Sequence, residues 1–293
     1  MKILYIGSVE FSGKALEHLL EIDANIVGIC GAKSSAINSD FFDLSPIALR
    51  ANIPLRFFED INSEDALNWI RERSPDIIFC FGWSRLLGEK LLRIPNMGVV
   101  GFHPTLLPAN RGRHPIIWAL VLGLEETGST FFFMDSGADS GDILSQKKIP
   151  IYDSDNARTL YDRICSVALK QISEFMPSLI SGTYQRIKQN STVSNLWRKR
   201  SKKDGVIDWR MPAKAIYNLV RALSDPYPGA LIIHQLNEIK VLDVEIISGN
   251  ILNCEPGKVI AINSGKLVIN CGIDSICLLS TDPILNAKVG ECI

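Results

Sequence analysis

The 293-residue chain contains no hydrophobic run approaching the roughly 20 residues that a membrane-spanning helix needs. Its first apolar stretch is broken at once by Gly7 and Ser8, which is too short for a secretory leader. It also lacks an excess of either charge: 31 basic residues nearly cancel 32 acidic ones, leaving a formal net charge of −1. No overall field therefore draws the protein to nucleic acid or to an anionic membrane, and any anion recognition must come from a local patch. Histidine is scarce, at four residues, and none lies near the closest cysteine pair, Cys271 and Cys277. That spacing is poor for zinc, so no metal site is expected. The seven cysteines are odd in number and mostly embedded in apolar runs, as in "IIFC" and "RICSVAL". This pattern fits reduced thiols and a cytoplasmic location rather than a disulfide framework. Finally, "GSVEFSG" has two glycines at the wrong spacing for G-x-G-x-x-G, which removes the support for a nicotinamide cofactor.

What is present is an alternation of short apolar strands with amphipathic helices. "KILYIG", "NIVGIC", "PLRFF", "DIIFCFG", "MGVVGFH" and "GSTFFFMD" read as strands. "FSGKALEHLLEI", "SPIALRAN" and "SEDALNWIRER" read as helices between them, and "ARTLYDRICSVALKQISEFMPSLI" as a long closing helix. The expectation is an α/β fold with a doubly wound, mostly parallel, Rossmann-like sheet. Residues 184–204 lose the periodicity and concentrate polar and basic side chains, as a linker would. Beyond them a helix, "PAKAIYNLVRALS", precedes the short strands "GALIIH", "IKVLDVEII", "GKVIAIN", "KLVIN" and "SICLLS", which suggest a smaller β-rich, OB-like barrel domain. The expected domains are therefore 1–183, a linker at 184–204, and 205–293.

A doubly wound sheet binds ligands beyond the carboxyl ends of its strands. His103 falls there, at the end of "GVVGF", on a backbone stiffened by Pro104 and Pro108. The turn "MDSGADSGD" supplies Asp135, Asp139 and Asp142 to the same edge. Such a carboxylate cluster often serves only to cap its own turn. One carboxylate beside the imidazole would instead fix its tautomer and support proton transfer. Arg111, Arg113 and His114, between Pro108 and Pro115, are either exposed loop cations or a clamp for a phosphate or carboxylate.

The stretch "HPTLLPANRGRHPIIWALVLGLEETGSTFFFMDSGADSGDIL" resembles the core of the formyltransferases that use 10-formyltetrahydrofolate. Their pattern is H-x-S-L-L-P, then R-G, then a G-x-D-x-G-D-like loop. "SPDIIFCFGWSRLLGEKLLRIPNMGVV" upstream, and "DGVIDWRMPAKAIYNLVRALSDPYPGAL" and "EPGKVIAINSGKLVINCG" downstream, extend the resemblance over nearly the whole chain. It implies 10-formyltetrahydrofolate as co-substrate. It also implies His103 and Asp139 as catalytic residues, His103 stabilising the oxyanion and Asp139 orienting the ring and assisting proton movement. The implied folate pocket is formed by Phe81, Gly82, Trp83, Leu86 and Leu87 on one side and Met134, Asp135, Gly137 and Ala138 on the other, although Trp83 and its neighbours could equally be core. The family has an asparagine two residues before the histidine, and here that position is Gly101. Losing one oxyanion donor costs roughly 3 to 4 kcal/mol elsewhere, so Asn110, a backbone N–H or a water must fill in, or the chemistry is slowed or altered.

The acceptors of this family divide into methionyl-tRNA, glycinamide ribonucleotide and nucleotide-linked amino sugars. A tRNA partner calls for a basic surface, and the one dense positive run is "RKRSKK". The neutral balance, and "RGRHPIIWAL", which resembles the family's sugar enzymes more than its tRNA enzymes, favour a nucleotide-linked amino sugar in glycan or lipopolysaccharide biosynthesis, with Gly101, Asn110, Arg111, Arg113, His114 and Arg200 lining its site. Formylation of methionyl-tRNA, hydrolysis of formylfolate, and a non-catalytic folate- or sugar-binding protein are the alternatives. The resemblance leaves a homodimer open, together with the sugar, its nucleotide and the position of its amine.

Overall fold

The computed structural model describes residues 1–33, 39–249, 251 and 253–293. The chain divides into two compact units. The first comprises 1–115, 127–149 and 162–197, and the second 116–126, 150–161 and 198–293. Segments 116–126 and 150–161 thus belong with the carboxyl-terminal residues, a grouping that no local sequence pattern announces.

The chain runs β1 (Ile3–Ile6), α1 (Glu10–Glu21), β2 (Ile26–Gly31), α2 (Ser45–Arg50), β3 (Leu55–Phe57), α3 (Glu64–Glu72), β4 (Ile77–Cys80), α4 (Glu89–Leu92) and β5 (Val99–His103). It continues through β6 (Arg111–Gly112), α5 (Pro115–Val121), β7 (Glu126–Phe133), β8 (Ile143–Pro150), α6 (Ala157–Ser181) and β9 (Leu196–Trp197). The large sheet has the order β3-β2-β1-β4-β5-β7-β8, parallel through β5, with β7 antiparallel to β5. Strands β1 and β4 are wholly buried and apolar, as strands covered on both faces must be. The chain reverses direction of winding between them, so the crevice at their carboxyl ends is where a ligand belongs. The α/β expectation is met. The edge strand β8 was missed because "ILSQKKIP" carries two lysines and a glutamine, too polar for an apolar-strand reading.

The core of the first unit is aromatic. Phe81 stacks on Phe79 at a centroid distance of 5.2 Å and meets Tyr5 and Phe131 edge-on. Such pairs add about 0.5–1.5 kcal/mol each beyond area burial. Helix α3 begins at Ser63, whose hydroxyl accepts the Ala66 N–H, with Glu64 and Asp65 in its first turn. Its buried face, Ala66, Leu67, Trp69 and Ile70, follows the helical period.

In the second unit, α7 (Ala213–Ala222) packs on an antiparallel sheet of β10 (Ala230–His234), β11 (Asn237–Ile247), β12 (Val259–Asn263), β13 (Lys266–Asn270) and β14 (Ser275–Asp282). Their order is β10-β11-β14-β13-β12, the smaller β-rich part that the sequence predicts. Among the described residues no helix is long and apolar enough to cross a membrane.

Candidate active site

His103 is the last residue of β5 and is buried, 5% exposed. Its Nε2 lies 2.8 Å from the Asn110 carbonyl oxygen, and because a carbonyl can only accept, Nε2 carries hydrogen. Its Nδ1 faces Asp139 Oδ2 at 3.6 Å, the pairing expected from two residues 36 positions apart. Asp139 is itself fixed: Oδ2 accepts the Gly112 N–H at 2.8 Å, and its backbone holds φ +53°. Gly112 can make this bond because it has no side chain. Its φ is +105°, and a Cβ there would stand 2.3 Å from the Trp197 carbonyl oxygen across the β6–β9 ladder.

Two residues from the aperiodic stretch complete the frame, and sequence reasoning missed both. Gln189 accepts Arg111 Nε and Nη2 at 3.2 and 2.7 Å and donates to the Asp139 and Gly141 carbonyls at 2.9 and 2.7 Å. Asn195 accepts the Asn110 N–H at 2.6 Å through Oδ1 and donates Nδ2 to Asn110 Oδ1 at 3.1 Å. Isolated polar amides carry no periodic signal, so nothing in the sequence marked them. The segment read as linker therefore holds the Asp139 loop and Asn110 in place through its residues 189–197.

The other expected residues fall into distinct environments. Phe81 is fully buried, so its ring belongs to the core rather than to a pocket; its carbonyl accepts Ser12 Oγ, which also receives the Ser8 and Val9 N–H groups. Leu87 is likewise core, whereas Leu86 is 75% exposed and Gly82 adopts φ +70°. Trp83 is half-buried, and its Nε1 is an enclosed donor with no partner among the described residues. Asp135 Oδ1 caps its own turn, accepting from Gly137 N and Ser140 Oγ, while Gly137 and Ala138 are exposed. Arg111 donates Nε and Nη2 to Gln189 Oε1. Arg113 donates Nη1 to the Ser84 carbonyl at 2.7 Å, tying the loop after β5 to the loop after β4. His114 holds φ +55°. Arg200 belongs to the second unit, 8% exposed, with its guanidinium 4.7 Å from the Trp118 ring and bonded to the Asp204 carbonyl.

At Gly101 a Cβ would meet Met134 Cγ at 2.9 Å, Phe132 Cζ at 3.1 Å and Met134 Sδ at 3.2 Å. Residues 101 and 103 share one face of β5. The thioether of Met134 therefore fills the volume next to His103 that a side chain at 101 would take.

A doubly wound sheet with a buried imidazole and a fixed carboxylate meeting at its carboxyl edge has the parts that a site working by positioning and proton movement needs. The chain belongs to the formyl transferase family: the formyl transferase model matches residues 22–176, and the formyl transferase C-terminal domain model matches 199–286. It is 28% identical over 295 residues to the methionyl-tRNA formyltransferase of Caldanaerobacter subterraneus subsp. tengcongensis, covering 99% of this chain and 94% of that one.

Solved structures share the fold. WlaRD, a sugar 3N-formyl transferase crystallised with dTDP and 5-N-formyl-THF, superposes with a TM-score of 0.71 at 20% identity over 97% of this chain and 99% of that one. The N-formyltransferase of Helicobacter canadensis, in complex with folinic acid and dTDP-3-aminofucose, gives 0.71 at 19% over 95% and 99%. HypX from Aquifex aeolicus, in complex with tetrahydrofolic acid, gives 0.69 at 16% over 96% of this chain, which spans 44% of HypX.

Proposed function

We propose that the protein transfers a formyl group from 10-formyltetrahydrofolate to the amine of a nucleotide-linked amino sugar, and the observation that carries the transfer is the His103–Asp139 pair at the carboxyl edge of β5. The donor supplies a formyl carbon activated on N10: the amine–carbon bond forms, the carbon–N10 bond breaks, and the proton lost by the amine ends on N10. The residues that would hold it are the main-chain groups of 81–83 and 134–138. The unpartnered, enclosed Trp83 Nε1 fits a ligand rich in hydrogen-bond acceptors.

His103 Nδ1 is the site at which the amine's proton is held in transit. Nε2 is already protonated toward Asn110, and Asp139 stands beside Nδ1 to balance the positive ring. Gly112 and Gln189 keep the carboxylate and its loop from turning away. Positioning supplies much of the rate.

The basic run supports a small acceptor. Arg198 is paired with Asp204, Arg200 is buried against Trp118, and Lys202 bonds Glu238 at 2.6 Å, so half of "RKRSKK" is engaged within its own unit. An RNA-binding patch needs free cations on its surface. Arg113, with Nε and Nη2 unpartnered among the described residues, is the cation that suits an anionic handle. Formylation of methionyl-tRNA is the second reading, favoured by the 28% identical relative.

The test is formyl transfer from 10-formyltetrahydrofolate, followed optically with a panel of UDP- and dTDP-linked amino sugars and with charged initiator tRNA. Turnover with an amino sugar is expected. Turnover with the tRNA alone would overturn the choice of acceptor, and loss of the formyl group without any acceptor would indicate a hydrolase. Binding without turnover would indicate a folate- or sugar-binding protein.

A further inference from the structure

We propose that the side-chain amide of Asn110, held in orientation by Asn195, is the hydrogen-bond donor that this chain presents to the formyl oxygen. The inference rests on the formyl-transfer reading above. Position 101 offers no side chain, and the volume beside it is taken by Met134, whose thioether sulfur cannot donate. Charge developing on a carbonyl oxygen in a closed site needs preorganised donors, so another group must provide them.

Many donors of the His103 loop and its neighbours are committed to protein acceptors. The Nε2 hydrogen is used by the Asn110 carbonyl, and the Gly112 N–H by Asp139. The Thr105 N–H goes to the His103 carbonyl and the Thr105 hydroxyl to the Ala109 carbonyl. The Thr130 hydroxyl goes to the Thr105 carbonyl, and the Asn110 N–H to Asn195 Oδ1. Arg111 Nε and Nη2 are taken by Gln189. Asn110 Nδ2, Trp83 Nε1 and Arg113 Nε and Nη2 have no partner among the described residues, and of these Asn110 belongs to the residue whose carbonyl receives the His103 ring proton.

Its orientation is not arbitrary. A backbone N–H can only donate, so the atom of Asn195 that faces Asn110 N must be the oxygen. That assignment puts the Asn195 NH2 on the other branch, where it can only meet an acceptor, and so fixes Asn110 Oδ1 toward Asn195. The Asn110 NH2 is consequently turned away from Asn195. Because the carbonyl of the same residue receives the His103 ring proton, the Asn110 backbone that carries the amide is anchored beside the imidazole. Asn110 sits at φ +63°, a conformation that asparagine tolerates better than most residues.

The experiment uses the full chain, 10-formyltetrahydrofolate and the amine it accepts. Asn110→Gly suits the positive φ and retains the main-chain bonds to Asn195 and His103 while deleting the amide. Its kcat is expected to fall about 100-fold, with both KM values and the Kd of 5-formyltetrahydrofolate, read by protein fluorescence, held within about threefold. Asn110→Asp, which keeps the size and the acceptor but loses the donor, is expected to show the same split. Asn195→Ala leaves the amide in place but loose, and an intermediate loss of about tenfold is expected. An Asn110→Gly kcat within about threefold of wild type, or a loss matched by weaker 5-formyltetrahydrofolate binding, would overturn the inference. A wild type that His103→Ala silences and Asn110→Gly does not would sink this inference alone. A wild type that formylates no amine removes the formyl-transfer reading and this inference with it.

Discussion

Replacing Gly112 by alanine tests the link between local backbone and chemistry most directly. The residue holds φ +105°, and the new Cβ would lie 2.3 Å from the Trp197 carbonyl oxygen and 3.1 Å from the Trp197 nitrogen. These are backbone atoms of the paired segment, so they cannot swing aside as a side-chain tip would. Backbone strain in a region disfavoured for side chains costs about 1–3 kcal/mol, and overpacking against an unyielding neighbour adds about 1–3 kcal/mol. The sum is about 2–6 kcal/mol, or a fall in thermal midpoint of about 5–20 °C for a unit of this size. The Gly112 N–H also anchors Asp139 Oδ2, and if Asp139 acts as proposed, a displacement of about 1 Å there can cost about 100-fold in rate. Gly182→Ala is the matched control: its φ is +73°, but no atom lies within 4 Å of the added Cβ. Thermal unfolding followed by circular dichroism, and kcat under saturating substrates, should separate the two variants. Gly182→Ala should lose about 1–2 kcal/mol and no activity. If Gly112→Ala melts no lower than Gly182→Ala and turns over like wild type, the anchoring of Asp139 through this glycine is wrong.

Further expectations follow from the same geometry. His103→Ala and Asp139→Ala should each lower formyl transfer by about 10²–10⁴-fold with an unchanged circular dichroism spectrum, and wild-type activity in both would refute their assignment. Gly101→Asn forces Met134 to yield, since its Cγ stands 2.9 Å from the added Cβ. Its thermal midpoint should fall and recover when Met134→Ala is added, while activity stays level or rises; a severe loss of turnover in both would mean that substrate uses the space. Burial pushes the Cys80 thiol up to about 12 and raises Cys30 as well, so native protein at pH 8 should be alkylated by iodoacetamide at exposed Cys292 and spared at 30 and 80, as peptide mapping would reveal. The Arg198 N–H bond, with the Ser201 backbone N–H, holds the Asp204 carboxyl well below its usual range. The stabilisation is therefore present above the unfolded value near pH 4 and is lost as pH falls toward the folded one. Asp204→Asn should flatten the acid limb of the unfolding curve, and an unchanged limb would contradict the pairing.

The strands and helices of the sheet were legible because each buries a recurrent apolar face: β1 and β4 as unbroken apolar runs, α1 through Phe11, Ala15 and Leu19. The pairing of His103 with Asp139 was legible because both lie at strand ends that a doubly wound sheet collects on one edge. The inward ring of Phe81 was not legible, because a residue one step past a strand can still point into the core and strand pattern alone does not say where the inward alternation stops. The Arg111–Gln189 bond was not legible, because Gln189 lies 78 residues away in a stretch without periodicity. Contacts between polar side chains far apart in the chain leave no repeating trace, and the holding frame of this site is made of them.

The same frame bears on which amine is formylated. The loop from Asn110 to Gly112 is joined to Asn195, Leu196 and Trp197 by a short parallel ladder and an amide pair, so the proposed catalytic edge and the aperiodic stretch are tied together. An acceptor that displaced residues 195–197 would release Asn110, and with it the carbonyl that receives the His103 proton. Large acceptors that enter by prying this stretch away therefore carry a catalytic penalty, whereas a compact nucleotide sugar that leaves the ladder closed does not. Hydrogen exchange at the Arg111 and Arg113 amides, which bond to the Asn195 and Trp197 carbonyls, reads this directly. Protection should persist or rise when the true acceptor binds, and acceleration on binding would mean that the ladder opens and that the preference for a compact acceptor has lost its physical basis.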